Sequence, residues 1–205
     1  MKLMYAPPSP FARKVRVAAI ELGLADDIEL VLTEVVPGKA NEAYSKNCNP
    51  LRKIPTLLMD DGTTIYDSTV ICEYLDARAG GGLIPASGDD RWRVLTHNAL
   101  AQGMCEAAVL IRYETVLRPD ESRWQTWIDD QWDRILNGLD RFEHLDGTLD
   151  EPLNLAHITL GCLLGYIEFR FPETDWRGDV PTLAAWFDGL TDRESFVNTD
   201  PAAAP

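Results

Sequence analysis

From its second residue the chain alternates short apolar runs with stretches whose apolar positions recur every three or four residues. "KLMYA" at 2–6 and "IELVLTEVV" at 28–36 are compact runs of strand-favouring residues, and Ile28, Leu30 and Leu32 alternate in the second. Between them Phe11, Val15, Ala18, Ala19 and Leu22 return at helical spacing, and Gly23 stands where a helix end favours glycine. This predicts a β-α-β unit, whose crossover makes the two strands parallel. "IPTLLMDD" and "TTIYD" follow as further strands joined at Asp61-Gly62, a hairpin dipeptide. "STVICEYLDARAG" then sets Val70, Ile71, Tyr74 and Leu75 on one helical face before the glycines at 80–82. The first eighty residues read β-α-β, an irregular stretch, then β-β-α. A four-stranded mixed sheet with helices packed on it is their natural closure.

Past "GGGLIPASGDD" at 80–90 the strand signals stop. Residues 91–117 read as one long helix, and Trp124, Ile128, Trp132, Ile135, Leu139 and Phe142 mark a second at three- and four-residue steps. "NLAHITLGCLLGYIEFRF" is apolar nearly all round, so it is expected to run through the middle of a helical domain. "VPTLAAWFDGL" adds a helix with Pro181 in its first turn, and the tail "NTDPAAAP" is expected to fray. The expected organisation is an α/β domain at 1–79, a linker at 80–90 and an all-α domain at 91–205. No internal repeat is present.

Composition narrows the chemistry. A net charge of -14 argues against a nucleic-acid partner, which needs a basic surface. The imbalance is uneven: residues 1–55 carry 8 Lys and Arg against 6 Asp and Glu, whereas the remainder carries 11 against 27, so an anionic small molecule is more welcome near the N-terminal segment. Four scattered cysteines with no C-x-x-C spacing, and three histidines, give no support to a metal cluster or a dithiol motif, and buried free thiols are expected. The apolar runs fall short of the roughly 20 residues a bilayer span needs, and the N-terminal segment lacks the apolar core of a secretory signal. A cytoplasmic protein with no membrane association is the expectation.

The segment "YAPPSPFARKVR" at 5–16 ends a strand with prolines, passes through Ser9 and opens a helix, with Pro10 at a position where its missing N–H costs little. Taken alone, Ser9 is a helix cap or a residue that acts on a ligand. "SPFARKVR" after the first strand, with "NPLRKIPTLLMDDGTTIYDSTVICEYLD" over the third and fourth, resembles the cytosolic glutathione transferase family. "LRPD", "LGCLLGYIEFRFP" and "VPTLAAWFDGL" extend the likeness to bacterial members and across almost the whole chain. The resemblance implies a thioredoxin-like domain that binds glutathione as co-substrate. It also implies a helical domain that supplies a pocket for a small hydrophobic electrophile, and a homodimer.

By the same resemblance, Ser9 donates a hydrogen bond to the glutathione sulfur. The thiolate gains from that donor and from the partial positive charge of the helix start. Tyr5 competes for the role, since other branches use a tyrosine near the first strand. Ile54, before a cis Pro55, would pair with the cysteinyl backbone through its own main chain. Asp67 and Ser68 would hold the γ-glutamyl group, although the pair also reads as an N-cap followed by a first-turn serine. Lys39 and Lys53 would meet the glycyl carboxylate or simply be solvated, and Phe11 completes the glutathione side. Pro8, Met104, Ala108, Arg112 and Tyr113 are the expected walls for the second substrate. Arg13 is expected to brace the fold, Asn154 to cap the buried helix, and His157 to be structural. Gln102 stands where similar bacterial sequences carry an acid. No metal is implied. The resemblance also admits a glutathione-dependent isomerase or dehalogenase, or a non-catalytic binding protein of the same fold.

Overall fold

The computed structural model describes residues 1–202. Four short strands form one sheet: β1 (Lys2–Tyr5), β2 (Glu29–Leu32), β3 (Thr56–Leu58) and β4 (Thr64–Ile65), in the order β2-β1-β3-β4. β1 runs parallel to β2, with Leu3 opposite Leu30, and antiparallel to β3, with Leu3 opposite Leu57. The hairpin to β4 turns at Gly62, whose φ of +89° suits glycine, and the Asp61 carboxylate accepts from Thr63 N–H at 2.8 Å. α1 (Pro10–Glu21) and α3 (Ser68–Ala79) bury Val15, Ala18, Ile71 and Leu75 in one core with Leu3 and Leu57.

Leu30 and Leu32 alternate as expected but stay exposed, because β2 is an edge strand and ends four residues sooner than the apolar run that contains it. A short helix, α2 (Glu42–Asn47), occupies the stretch expected to be irregular; Asn41 caps it by accepting from Tyr44 N–H at 3.1 Å.

The helical part begins with α4 (Gly88–Leu117), earlier than the expected position 91. Ser87 is extended at its N-cap and Asp89 and Asp90 fill the first turn, where acids favour a helix start, so "GDD" belongs to the helix and not to the linker. α5 (Gln125–Glu143) packs on α4, and α7 (Pro181–Thr191) packs on α5 and on α6 (Leu155–Arg170), which is buried along most of its length and also packs on α1 and α4. A last short helix, α8 (Glu194–Val197), docks on α1. Beyond α8 the expected fraying does not hold at its start: Thr199 and Pro201 are buried, and Thr199 hydroxyl donates to Ser195 carbonyl at 2.7 Å. Residues 203–205 of that tail lie outside the described residues.

The two parts are tied at α1. The buried Arg13 guanidinium donates to Thr199 Oγ1 at 3.3 Å and to Phe196 carbonyl at 3.1 Å, and lies 5.4 Å from the Phe196 ring centre. Gly165 on α6 makes room for it, since a Cβ there would come within 2.4 Å of Arg13 Nη1. At the other end of α1, Arg193 forks onto Glu21 at 3.0 and 2.7 Å, and together with Ser195 it holds that carboxyl below its ordinary range.

Candidate functional site

The start of α1 puts Ser9 at a boundary. Its backbone is extended, its N–H donates to Ala6 carbonyl at 3.0 Å, and its hydroxyl oxygen accepts from Ala12 N–H at 3.2 Å. A serine hydroxyl has one proton to give, and among the described residues Ser9 gives it to none. The half-buried side chain opens on a narrow crevice. Pro7, Pro8 and Arg13 line it from the first domain, and Cys162 and Tyr166 of α6 line it from the second. Tyr5 does not line this crevice; its ring packs against the core with the Arg16 guanidinium 5.3 Å from its centre. Phe11 is half-buried and also leans on the core.

The segment leading into β3 is braced from below. Tyr44 hydroxyl donates to Lys53 carbonyl at 2.7 Å, and Asn49 Nδ2 donates to the same carbonyl at 3.1 Å and to Thr56 Oγ1 at 3.2 Å. Burial pushes Tyr44 up to about 12, so its proton stays in place. The Ile54–Pro55 peptide bond is cis. Neither the N–H nor the C=O of Ile54 enters a hydrogen bond among the described residues.

Asp67 caps α3: its Oδ1 accepts from Thr69 N–H at 3.0 Å and Val70 N–H at 3.3 Å, and its other carboxylate oxygen has no partner among the described residues. Ser68, next to it, is buried in the first turn. Lys53 is exposed, and Lys39 is exposed beside Glu34 at 3.5 Å.

In the helical part the expected walls separate. Pro8 lines the crevice. Met104 does not: it turns toward α5, where a Cβ on Gly138 would meet its sulfur at 2.2 Å, and it is buried in the core with Ala108. Neither lines the crevice, since the face of α4 that carries Met104 packs on α5. Arg112 is half-buried and Tyr113 partly exposed. Asn154 caps α6 on Ala156 and His157 N–H at 3.0 and 3.2 Å, and the buried His157 ring reaches Thr148 carbonyl at 2.8 Å, which makes both structural. Among the described residues no cluster of three or more His, Cys, Asp or Glu has a metal-binding arrangement, and no helix is long and apolar enough to cross a membrane. Burial pushes the Cys72 and Cys162 thiols up to about 12 and about 11, so they are inert.

Residues 8–78 match the family model for the glutathione S-transferase N-terminal domain, and residues 125–189 match that for the C-terminal domain. The uncharacterized GST-like protein YibF of Escherichia coli K12 is 31% identical over 208 residues that cover 100% of both chains. The chain belongs to the glutathione transferase family. A family member from Pseudomonas fluorescens Pf-5, solved with bound glutathione, is 41% identical, with a TM-score of 0.94 over 98% of each chain. A second structure from that organism, with bound S-(propanoic acid)-glutathione, is 40% identical, with a TM-score of 0.90 over 98% of this chain and 99% of that one.

In this glutathione transferase family member two groups near the site escaped the sequence reading. Lys14 is almost fully buried, and its ammonium donates to Gln102 Oε1 at 2.8 Å and Thr69 Oγ1 at 3.1 Å with no carboxylate in ion-pair range among the described residues. Thr69 in turn meets Asn98 at 3.5 Å, and Thr159 hydroxyl donates to Asn98 Oδ1 at 2.7 Å. A polar chain therefore runs from α1 to α6 beneath the start of α3. Its signal was available: Lys14 falls three residues after Phe11 and four before Ala18, on the buried stripe of α1. Tyr166 was the second, hidden in a helix apolar on every side, which gives no phase to read.

Proposed function

We propose that the chain is a glutathione transferase, a cytoplasmic homodimer that lowers the thiol pKa of glutathione and directs the thiolate at an electrophilic small molecule. The observation that carries this reading is Ser9. One lone pair of its oxygen caps α1, its proton is uncommitted, and it opens on a crevice walled by both domains. A thiolate placed there gains a hydroxyl donor and the positive end of a helix dipole, the two stabilisations that ionising a thiol near neutral pH requires. The sulfur attacks; Ser9 only donates.

The rest of glutathione has complementary groups along the same face. Ile54 offers an unpaired main-chain donor and acceptor to an extended backbone. The second oxygen of Asp67 suits an ammonium, and the Ser68 hydroxyl with the α3 start suits the adjacent carboxylate. Lys53 and Lys39 flank the end where a glycyl carboxylate belongs. The Pseudomonas fluorescens structures with bound glutathione and with its S-(propanoic acid) conjugate support the same class of ligand and product. Exposed Leu51, Tyr66 and Val70 supply apolar surface for a second copy.

Calorimetry with glutathione is the first test, and no binding at millimolar ligand would remove the proposal. The second is ultraviolet difference spectroscopy of bound thiolate. Ser9→Ala is expected to raise the apparent thiol pKa by about one unit or more, as loss of a hydrogen bond to a charged group implies. An unchanged value in that variant transfers the role to Tyr5. Sedimentation as a monomer would defeat the dimer.

A further inference from the structure

The arginines of this chain are mostly spoken for. Arg13, Arg91, Arg93, Arg118, Arg177 and Arg193 each bond a carboxylate, a hydroxyl or a carbonyl. Arg78 and Arg141 bond no side chain or carbonyl among the described residues either, but both are exposed to water, whereas Arg112 and Arg170 in the helical domain are half-buried. Neither forms an ion pair among the described residues; the Arg170 guanidinium lies 4.2 Å from the Phe169 ring centre beside Tyr166, and its Nε is buried without a partner. A buried N–H with nothing to donate to is costly, and two cations near one another add repulsion to that cost.

Helix packing brings them toward the crevice. α4 and α6 lie side by side, with Asn98 bonded to Thr159, and with Cys105 Sγ 4.0 Å from the Thr159 carbonyl. Two turns beyond Cys105 on α4 is Arg112, and two turns beyond Thr159 on α6 is Tyr166, with Arg170 one turn further. By that register Arg112 on α4 stands level with the last turn of α6, where Arg170 follows Tyr166 by one turn on the same face. Tyr166 is the residue that lines the crevice opposite Ser9. Neither arginine lines the crevice itself, but a group attached to a sulfur at Ser9 and extended past Tyr166 runs toward the helix turns that carry them. In a chain of net charge -14 an anion gains nothing from the protein's overall field, so two half-buried cations with no carboxylate partner are a local device.

We propose that Arg112 and Arg170 form the recognition site for an anionic group on the second substrate, so that the electrophile is a carboxylate-bearing molecule and not a purely apolar one. This rests on the transferase reading, with the sulfur at Ser9. Arginine suits the role, because its planar fork takes a carboxylate through two parallel hydrogen bonds and the buried Nε gains an acceptor.

The probes are S-substituted glutathiones, which need no turnover: S-(2-carboxyethyl)glutathione and S-(4-carboxybutyl)glutathione, each against its isosteric terminal amide. Calorimetry on the full chain is expected to give at least one acid about tenfold or more tighter binding than its amide, the size of a charge-assisted bond. Arg112→Gln and Arg170→Gln are expected to erase that preference while leaving glutathione affinity in place, and Arg→Lys at either position to restore part of it. Equal affinities for both acid–amide pairs in the unmutated protein overturn the inference, as does a preference that survives both glutamine variants. If those outcomes occur while glutathione binds, the transferase reading stands alone. If neither glutathione nor any conjugate binds, that reading falls and takes this one with it.

Discussion

The two halves of the proposed site are built on opposite plans. On the glutathione side the chemistry sits where elements begin: Ser9 before α1, Asp67 and Ser68 at the start of α3, and Ile54 just before β3. Caps and strand entries expose backbone donors and acceptors by construction, so residues there can meet a ligand without disturbing a packed interior. On the helical side Arg112, Tyr166 and Arg170 lie in the body or last turn of long helices, one step from core residues such as Ile111 and Ile167. A side chain there is positioned by helix phase and packing. The difference teaches that the first half can be changed one contact at a time, whereas the second cannot be altered without touching stability.

The largest effect tests the seam between them. Arg13→Ala removes two hydrogen bonds from a buried guanidinium and its contact with Phe196, a loss of about 3 kcal/mol in all. At roughly 2–4 °C per kcal/mol for a chain of this size, melting should fall by about 6–12 °C, with glutathione affinity little changed. Loss of glutathione affinity at an unchanged melting temperature would break the comparison, since it would make Arg13 part of the ligand site. The next effect lies wholly on the glutathione side. Asp67→Ala should weaken glutathione binding by tenfold or more, through loss of a carboxylate facing an ammonium, and cost about 1 kcal/mol in capping. Asp67→Ser keeps an N-cap oxygen and removes the charge, so it should recover most of the stability and none of the affinity. Recovery of both would reduce Asp67 to a cap.

The same contrast decided what could be read from the chain itself. Ser9, Pro10, Asp67 and Ser68 are local signals, a cap residue followed by a helical stripe, and they occupy the places expected of them. The resemblance added a ligand to residues that capping rules already explained. The direction of Met104 was not legible, because an apolar residue on α4 reads the same whether it faces α5 or the crevice. Tyr166 was missed because α6 is buried nearly all round and offers no polar face from which to count. Lys14 is a cation inside an apolar stripe, yet only the arrival of Thr69 and Gln102 from two other helices explains how it stays buried. Leu30 and Leu32 alternate correctly, but alternation does not say that a strand lies at the edge of its sheet. α2 is six residues long, too short for a helical period to show.

The smallest effect belongs to the helical side alone. His157 is buried against Trp186 and reaches Thr148 carbonyl, and burial holds its pKa below the ordinary 6.5 although that hydrogen bond and the charge of Glu151 act the other way. The native ring therefore stays neutral at a pH where an unfolded chain takes up a proton. Stability is flat in this group above about pH 6.5 and falls as the pH drops below it toward the folded pKa, with a ceiling of about 1.4 kcal/mol per unit of pH. His97 is shifted in the same direction, also first by burial, and adds to the fall. His157→Gln keeps a donor for Thr148 and has no proton to take up. Melting curves at pH 7.5 and 5.5 should therefore show a smaller loss in the variant than in the unmutated protein, the remainder carrying His97 and, in the opposite sense, His144, whose pKa the Asp140 carbonyl and carboxylate raise, while glutathione affinity is the same in both. An equal loss in the two proteins would mean that His157 is protonated within the fold, and a drop in glutathione affinity would carry the site into a helix start that otherwise only supports it.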